Sequence, residues 1–175
     1  ARLSVRGLVG AVLCLCLVAS AGAQTFGPLD YPQWRGRDRD GAAAAFTAPS
    51  VWPETLTSKW KVEVGAGYAT PLVVGSRVYV FARQGNDEVM LALEASSGRT
   101  IWRTAYPALF KMNPATKAHG EGPKSTPLFH GGRLFTLGIS GIVSAFDAPS
   151  GKVLWQRPAS PVEPLYHTAQ SPIAV

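Results

Sequence analysis

The sequence predicts an all-β protein, a β-propeller of four-stranded antiparallel blades, and three observations carry that prediction. The first is a repeat. The stretch "GYATPLVVGSRVYVF" at 67–81 returns as "KSTPLFHGGRLFTLG" at 124–138, and "AQSPIAV" at 169–175 begins a third copy. Pro71, Pro127 and Pro172 head the copies, 56 and 45 residues apart, and Trp60, Trp102 and Trp155 punctuate them. The second is a regular succession of short apolar runs separated by turns rich in Gly, Ser and Asn, the pattern of an antiparallel meander. The third is that runs such as "RVYVFA" and "EVMLALEA" do not alternate cleanly between apolar and polar. A sheet with one wet face alternates; a sheet covered on both faces does not. A radial array covers both faces, because each blade is flanked by a sibling. An immunoglobulin-like sandwich predicts a polar face and fits less well.

Composition agrees. With 175 residues, 46% of them hydrophobic, the chain can build one sizeable core, and 18 Gly with 14 Pro suit a turn-rich β protein rather than a disordered one. Residues 1–23 are read apart from that core. Arg2 and Arg6 precede an apolar run from Leu8 to Val18, and Ala21 and Ala23 stand at −3 and −1 of a cut before Gln24. This is the layout of a secretory signal peptide, too short to span a bilayer, so the mature chain is expected to be periplasmic or secreted without a transmembrane span. Cys14 and Cys16 both lie in the leader, so the mature chain is expected to use no disulfide or thiolate chemistry. Neither follows a small residue, which argues against lipoprotein processing.

Residues 24–58 form an N-terminal lead-in, and the repeats occupy 59–175. The first blade is placed at 66–106. Thr70-Pro71 opens its first strand, "RVYVFAR" is the second, "EVMLALEA" the third and "TIWRTAY" the fourth. A connection over 107–124 follows, long enough to suggest function. The second blade, 125–160, reads "TPLF", "RLFTLG", "IVSAFDA", "VLWQRP", and a third starts at 168–175. Each Trp is expected to fill the gap between adjacent blades. Asp147 and Glu94, just before the turn into a fourth strand, are expected to accept backbone N–H bonds there.

The formal charge of +6 falls to +4 without the leader and forms no dense basic block. A nucleic-acid surface is therefore not expected. Arg35, Arg37 and Arg39 are interleaved with Asp38 and Asp40, which offset them. "RDRDG" lacks the third acidic ligand and closing Glu of a calcium loop, and "GEGPK" is too short for a phosphate loop. No tight His spacing marks a metal site, and His130 is assigned to the surface.

If the Pro-headed strands are innermost, the segments leading into them lie at one mouth of the central channel. They carry Tyr68, then His119, Glu121 and Lys124, then Tyr166 and His167. These are the candidate ligand- or partner-binding residues, since loops on a rigid scaffold tend to carry function. Imidazole is able to ligate a metal or carry a proton, so His119 and His167 are candidates for either; the alternative is that each simply hydrogen-bonds a neighbouring loop.

The unit G-R-V-Y…A-L-D-A-x-S/T-G-K-x-x-W stands here as "SRVYVFARQGNDEVMLALEASSGRTIW" and "GRLFTLGISGIVSAFDAPSGKVLW", led by "YPQWRGRDRDG". It resembles the repeat of the PQQ-like β-propellers, which include quinoprotein alcohol dehydrogenases and outer-membrane assembly proteins of the BamB type. The resemblance spans residues 31–175 and implies seven or eight blades, of which this chain holds two. It therefore implies the N-terminal part of a longer protein. It also implies one of two functions: a non-catalytic scaffold binding a protein or small molecule at the channel, or a quinone-dependent oxidoreductase acting on alcohols or sugars. For the second, the family holds pyrroloquinoline quinone on an aromatic floor beside a calcium or lanthanide ion bound by Glu and Asn, with an Asp base and often adjacent cysteines. No position of this chain matches that set by motif, so no catalytic or metal-binding residue is assigned.

Overall fold

The computed structural model describes residues 25–43, 45–109, 111–161 and 167–175. The leader at 1–23, with both cysteines, and Tyr166 lie outside the described residues. Two four-stranded antiparallel sheets make up the fold. The first runs β1 (Leu72–Val74), β2 (Arg77–Gln84), β3 (Asp87–Glu94) and β4 (Thr100–Pro107), and the second runs β5 (Leu128–His130), β6 (Arg133–Leu137), β7 (Val143–Asp147) and β8 (Val153–Arg157). Within each sheet the spatial order follows the chain order. These are the all-β blades expected from the repeat.

The two blades share their irregularities as well as their order. In the first, Ala92 pairs with Trp102 and Leu93 with Thr100, leaving Ile101 as the extra residue of a bulge. In the second, Ala145 pairs with Trp155 and Phe146 with Val153, leaving Leu154. A bulge bends the outer strand and re-aims the residue after it, and here that residue is the repeat's Trp, set opposite a small Ala in both cases.

Strands β2 and β3 are buried almost end to end, and their side chains divide between two cores. Tyr79, Phe81, Met90 and Ala92 join Leu134, Phe146 and Ala148 of the second blade between the sheets. Val80, Ala82, Val89, Leu91 and Leu93 face the other way, under Val62 and Val64 of the preceding segment. Both faces of the sheet are thus covered, which is why its strands lack alternation. The segment before β1 also pairs edge-on with β2, through Ala66 N to Arg83 O (2.9 Å) and Arg83 N to Ala66 O (2.7 Å).

Trp60 and Trp102 dock alike. The Trp60 indole N–H donates to Ala95 O at 3.0 Å, and that of Trp102 donates to Ala148 O at 3.1 Å. Each ring lies against the glycine of the turn that follows, Gly98 or Gly151, both at φ 73°. A methyl group on either would fall 2.5–2.6 Å from the ring. Glycine therefore serves twice at these positions, through its left-handed backbone and its missing side chain. Ala148 O also receives Arg77 Nη1 (3.3 Å) and the Tyr79 hydroxyl (3.5 Å).

The Asp147 carboxylate accepts from the backbone N–H (3.0 Å) and the hydroxyl of Ser150, which hold it below the ordinary carboxylate range. Glu94 instead accepts from the Ser97 hydroxyl and lies 3.5 Å from Arg99, and its carboxyl is lowered for those reasons in that order.

Candidate functional site

Three equivalent hydroxyl positions tie the Pro-headed segments together. Thr70 N donates to Thr126 Oγ1 at 3.1 Å, and Thr126 N donates to Ser171 Oγ at 3.0 Å. Each hydroxyl stands immediately before a repeat proline: Pro71, Pro127 and Pro172. The backbone leading into these positions is crowded. Tyr68 N and Ala69 N both donate to Pro123 O (2.9 and 3.2 Å). A side chain at Gly122 would run into the backbone of Ala66 and Gly67. "GEGPK" is thus a close-approach element that lets two inner segments touch.

The connection at 107–124 is not structureless. Asn113 caps a 3₁₀ helix over Pro114–His119, its side chain accepting from Ala115 N at 2.9 Å, with Pro114 pre-set for the first helical position. His119 ends that helix, exposed. Tyr68, His119 and Lys124 line one concavity of about 330 Å³. Two consecutive inner segments thus supply a phenol, an imidazole and an ammonium to a single recess. Glu121 lies elsewhere, largely exposed, with Oε2 3.7 Å from Arg83 Nε. His167 does not line this recess. It sits at φ 64° beside Thr168, whose N–H and hydroxyl donate to Ile139 O (3.4 Å) and Gly138 O.

A buried polar cluster that sequence reasoning passed over joins the two blades. Glu88, at the start of β3, is fully buried and accepts from Ile139 N (2.6 Å) and the Tyr106 hydroxyl (2.9 Å). Arg83, 5% exposed, donates to Ala108 O at 3.0 Å. Burial raises the Glu88 carboxyl above its ordinary value despite those hydrogen bonds and the charge of Arg83. Burial, then the Glu88 charge, raise the Tyr106 phenol. A signal existed: an acid and an arginine inside strands whose faces are both covered must find partners. The cluster pins the first blade to the β6–β7 turn of the second.

The residues present do not form a quinone–cation site. Among the described residues no three His, Cys, Asp or Glu side chains converge as metal ligands. The Glu88 oxygens are already engaged, and the recess is lined by an ammonium, which disfavours a bound cation. No catalytic step through such a group follows from these residues.

The chain is 28% identical over 165 residues to a "1-butanol dehydrogenase (cytochrome c)" of Thauera butanivorans, covering 87% of this chain but 22% of that protein. Among solved structures, BamB from Moraxella catarrhalis is 24% identical, with 57% of this chain and 26% of that one covered and a TM-score of 0.41. A quinohemoprotein alcohol dehydrogenase from Comamonas testosteroni is 26% identical, with 51% and 12% covered and a TM-score of 0.37. The chain thus spans about a quarter or less of each. Residues 39–174 match the family model described as "Outer membrane protein assembly factor BamB". That match takes in both blades and most of the lead-in, and the chain belongs to this family of PQQ-repeat β-propellers.

Proposed function

We propose that this protein is an exported propeller acting as a non-catalytic binding scaffold, which engages a protein segment or small molecule at the mouth of its channel. The observation that carries the reading is the meeting of Tyr68, His119 and Lys124 around one recess, on backbone locked by the Pro123 carbonyl and the Thr–Ser ladder. A hydrogen-bonding phenol, an imidazole and a cation on a rigid frame suit recognition. Export rests on the leader at 1–23. Among the described residues no helix is long and apolar enough to cross a membrane.

A second reading, a quinone-dependent oxidoreductase of alcohols or sugars, is favoured by the likeness to the butanol dehydrogenase over most of this chain. In it, the cofactor ligands come from residues other than those described. Fold does not choose between the two. Full-length protein is mixed with pyrroloquinoline quinone and calcium, and quinone absorbance and dye-linked alcohol oxidation are recorded. The scaffold reading expects neither to change. It also expects His119→Ala and Lys124→Ala to release co-purifying material at an unchanged melting temperature. Quinone-dependent turnover overturns it in favour of the second reading.

A further inference from the structure

A second recess adjoins the mouth and shares Lys124 with it. It encloses about 480 Å³ and is lined by Trp34, Arg39, Lys124, Ala169, Gln170, Ser171 and Ile173. Two of these side chains are cationic and none is acidic. The acids of the "RDRDG" loop are turned to other partners: Asp38 pairs with Arg37 at 3.4 Å, and Asp40 Oδ1 accepts from Ala42 N at 2.8 Å. Arg35 is used structurally, donating to Asp40 O at 3.0 Å. Arg39 is not. Its guanidinium lies 5.4 Å from the Trp34 ring, and its Nη1 is buried with no hydrogen-bond partner among the described residues.

A buried guanidinium nitrogen without an acceptor is costly, and proteins leave one chiefly where something else supplies the acceptor. Neutral donors stand beside it. Ser171 Oγ already accepts from Thr126 N, so its hydroxyl hydrogen remains to be given, and the Gln170 amide carries two more. The set of forked guanidinium, ammonium, hydroxyl and amide is the chemistry that receives an oxyanion. The volume suits a molecule of several heavy atoms.

We propose that this recess binds a small oxyanion, a polycarboxylate or a phosphate, held by Arg39 and Lys124. The site rests on its own lining and not on the mouth reading, and His119 has no part in it.

The test is calorimetric titration of the full-length protein with citrate and, separately, inorganic phosphate at low ionic strength. Saturable binding is expected with a dissociation constant below about 1 mM. Arg39→Gln and Lys124→Gln should each weaken it about tenfold, the loss of one charge-assisted contact. Arg39→Lys should fall between, keeping the charge without the fork. His119→Ala should leave it unchanged, which separates this site from the mouth, and so should Lys111→Gln, at an exposed lysine of the 107–124 connection that lines neither recess. Tighter binding of citrate assigns the site to carboxylates, and tighter binding of phosphate to phosphates. Absence of binding by both probes, equal affinity in Arg39→Gln, or equal weakening by Lys111→Gln overturns the proposal. Circular dichroism of each variant confirms that a loss is not unfolding.

Discussion

Gly138 is the position where the packing of the two blades can be tested with a single methyl group. Its backbone is not in the left-handed region, so Gly138→Ala introduces no conformational strain of its own. An added Cβ would lie 2.7 Å from Glu88 Cδ and 2.8 Å from Oε1, and closer still to Oε2. Neither side yields easily. The carboxyl is held by Ile139 N and the Tyr106 hydroxyl, and Gly138 is held by its N–H on Ile142 O (2.8 Å) and its carbonyl under Gly141 N (3.0 Å). Swinging Glu88 away forfeits two hydrogen bonds to a charged or proton-sharing group, about 1.5–3 kcal/mol each. Leaving it in place overpacks the interface, at about 1–3 kcal/mol. The cheaper route sets the cost, so Gly138→Ala should lose about 2 kcal/mol in urea unfolding at neutral pH. Glu88→Ala alone should lose about 2–3 kcal/mol, because Ile139 N and Tyr106 lose their partner. With the carboxyl gone the methyl has room, so the double variant should be milder than the sum of the two by about 2 kcal/mol. An additive cycle, or a Gly138→Ala protein within about 0.5 kcal/mol of the parent, would refute this account of the interface.

Two further predictions concern the same blades. Trp102→Phe removes the donor to Ala148 O and should cost about 1–2 kcal/mol in urea unfolding; a loss under about 0.5 kcal/mol would deny the docking role. The Glu88 carboxyl, raised from its ordinary 4.5 by burial, holds its proton more tightly folded than unfolded. Its stabilising contribution is therefore complete below the unfolded value and fades as pH rises through the folded one. Against Glu88→Gln, the parent should lose relative stability as pH climbs from about 4.5 toward neutrality, and a flat difference would refute the upward shift. Asp147 is lowered from 3.8 by the Ser150 hydroxyl and N–H, so its contribution has the opposite sign: Asp147→Asn should weaken the protein at neutral pH and converge with the parent as acid protonates the carboxylate.

The blades were legible in the sequence because their signals are local. Glycine turns, runs of the right length and a period near fifty residues all survive without knowledge of what touches what. Loss of alternation in "RVYVFA" even carried tertiary information, since covering both faces with a sibling is what removes it. The 3₁₀ turn in the long connection was missed by reading length alone, although Asn113-Pro114 is an ordinary cap and first-turn pair. What no local signal could give is pairing across blades. Glu88 looks like the polar first residue of a strand, and only the fold brings Ile139 N, 51 residues on, against it.

The lead-in shows the same limit from the side of charge. Alternating Arg and Asp in "RGRDRDG" cancel on paper, and the sequence reading treats them as one solvated, mildly basic surface. In space the cancellation is uneven, because Asp38 turns to Arg37 and Asp40 to the Ala42 backbone, so Arg39 keeps its charge for the recess it lines with Lys124. Summed charge is a property of composition, but recognition depends on which charges are left unmatched at a concave surface, and that is decided by the turn geometry of three or four residues. On the proposed oxyanion reading, the lead-in joins the third Pro-headed segment in lining the recess, and Arg39→Gln should alter oxyanion affinity with little change in the urea midpoint.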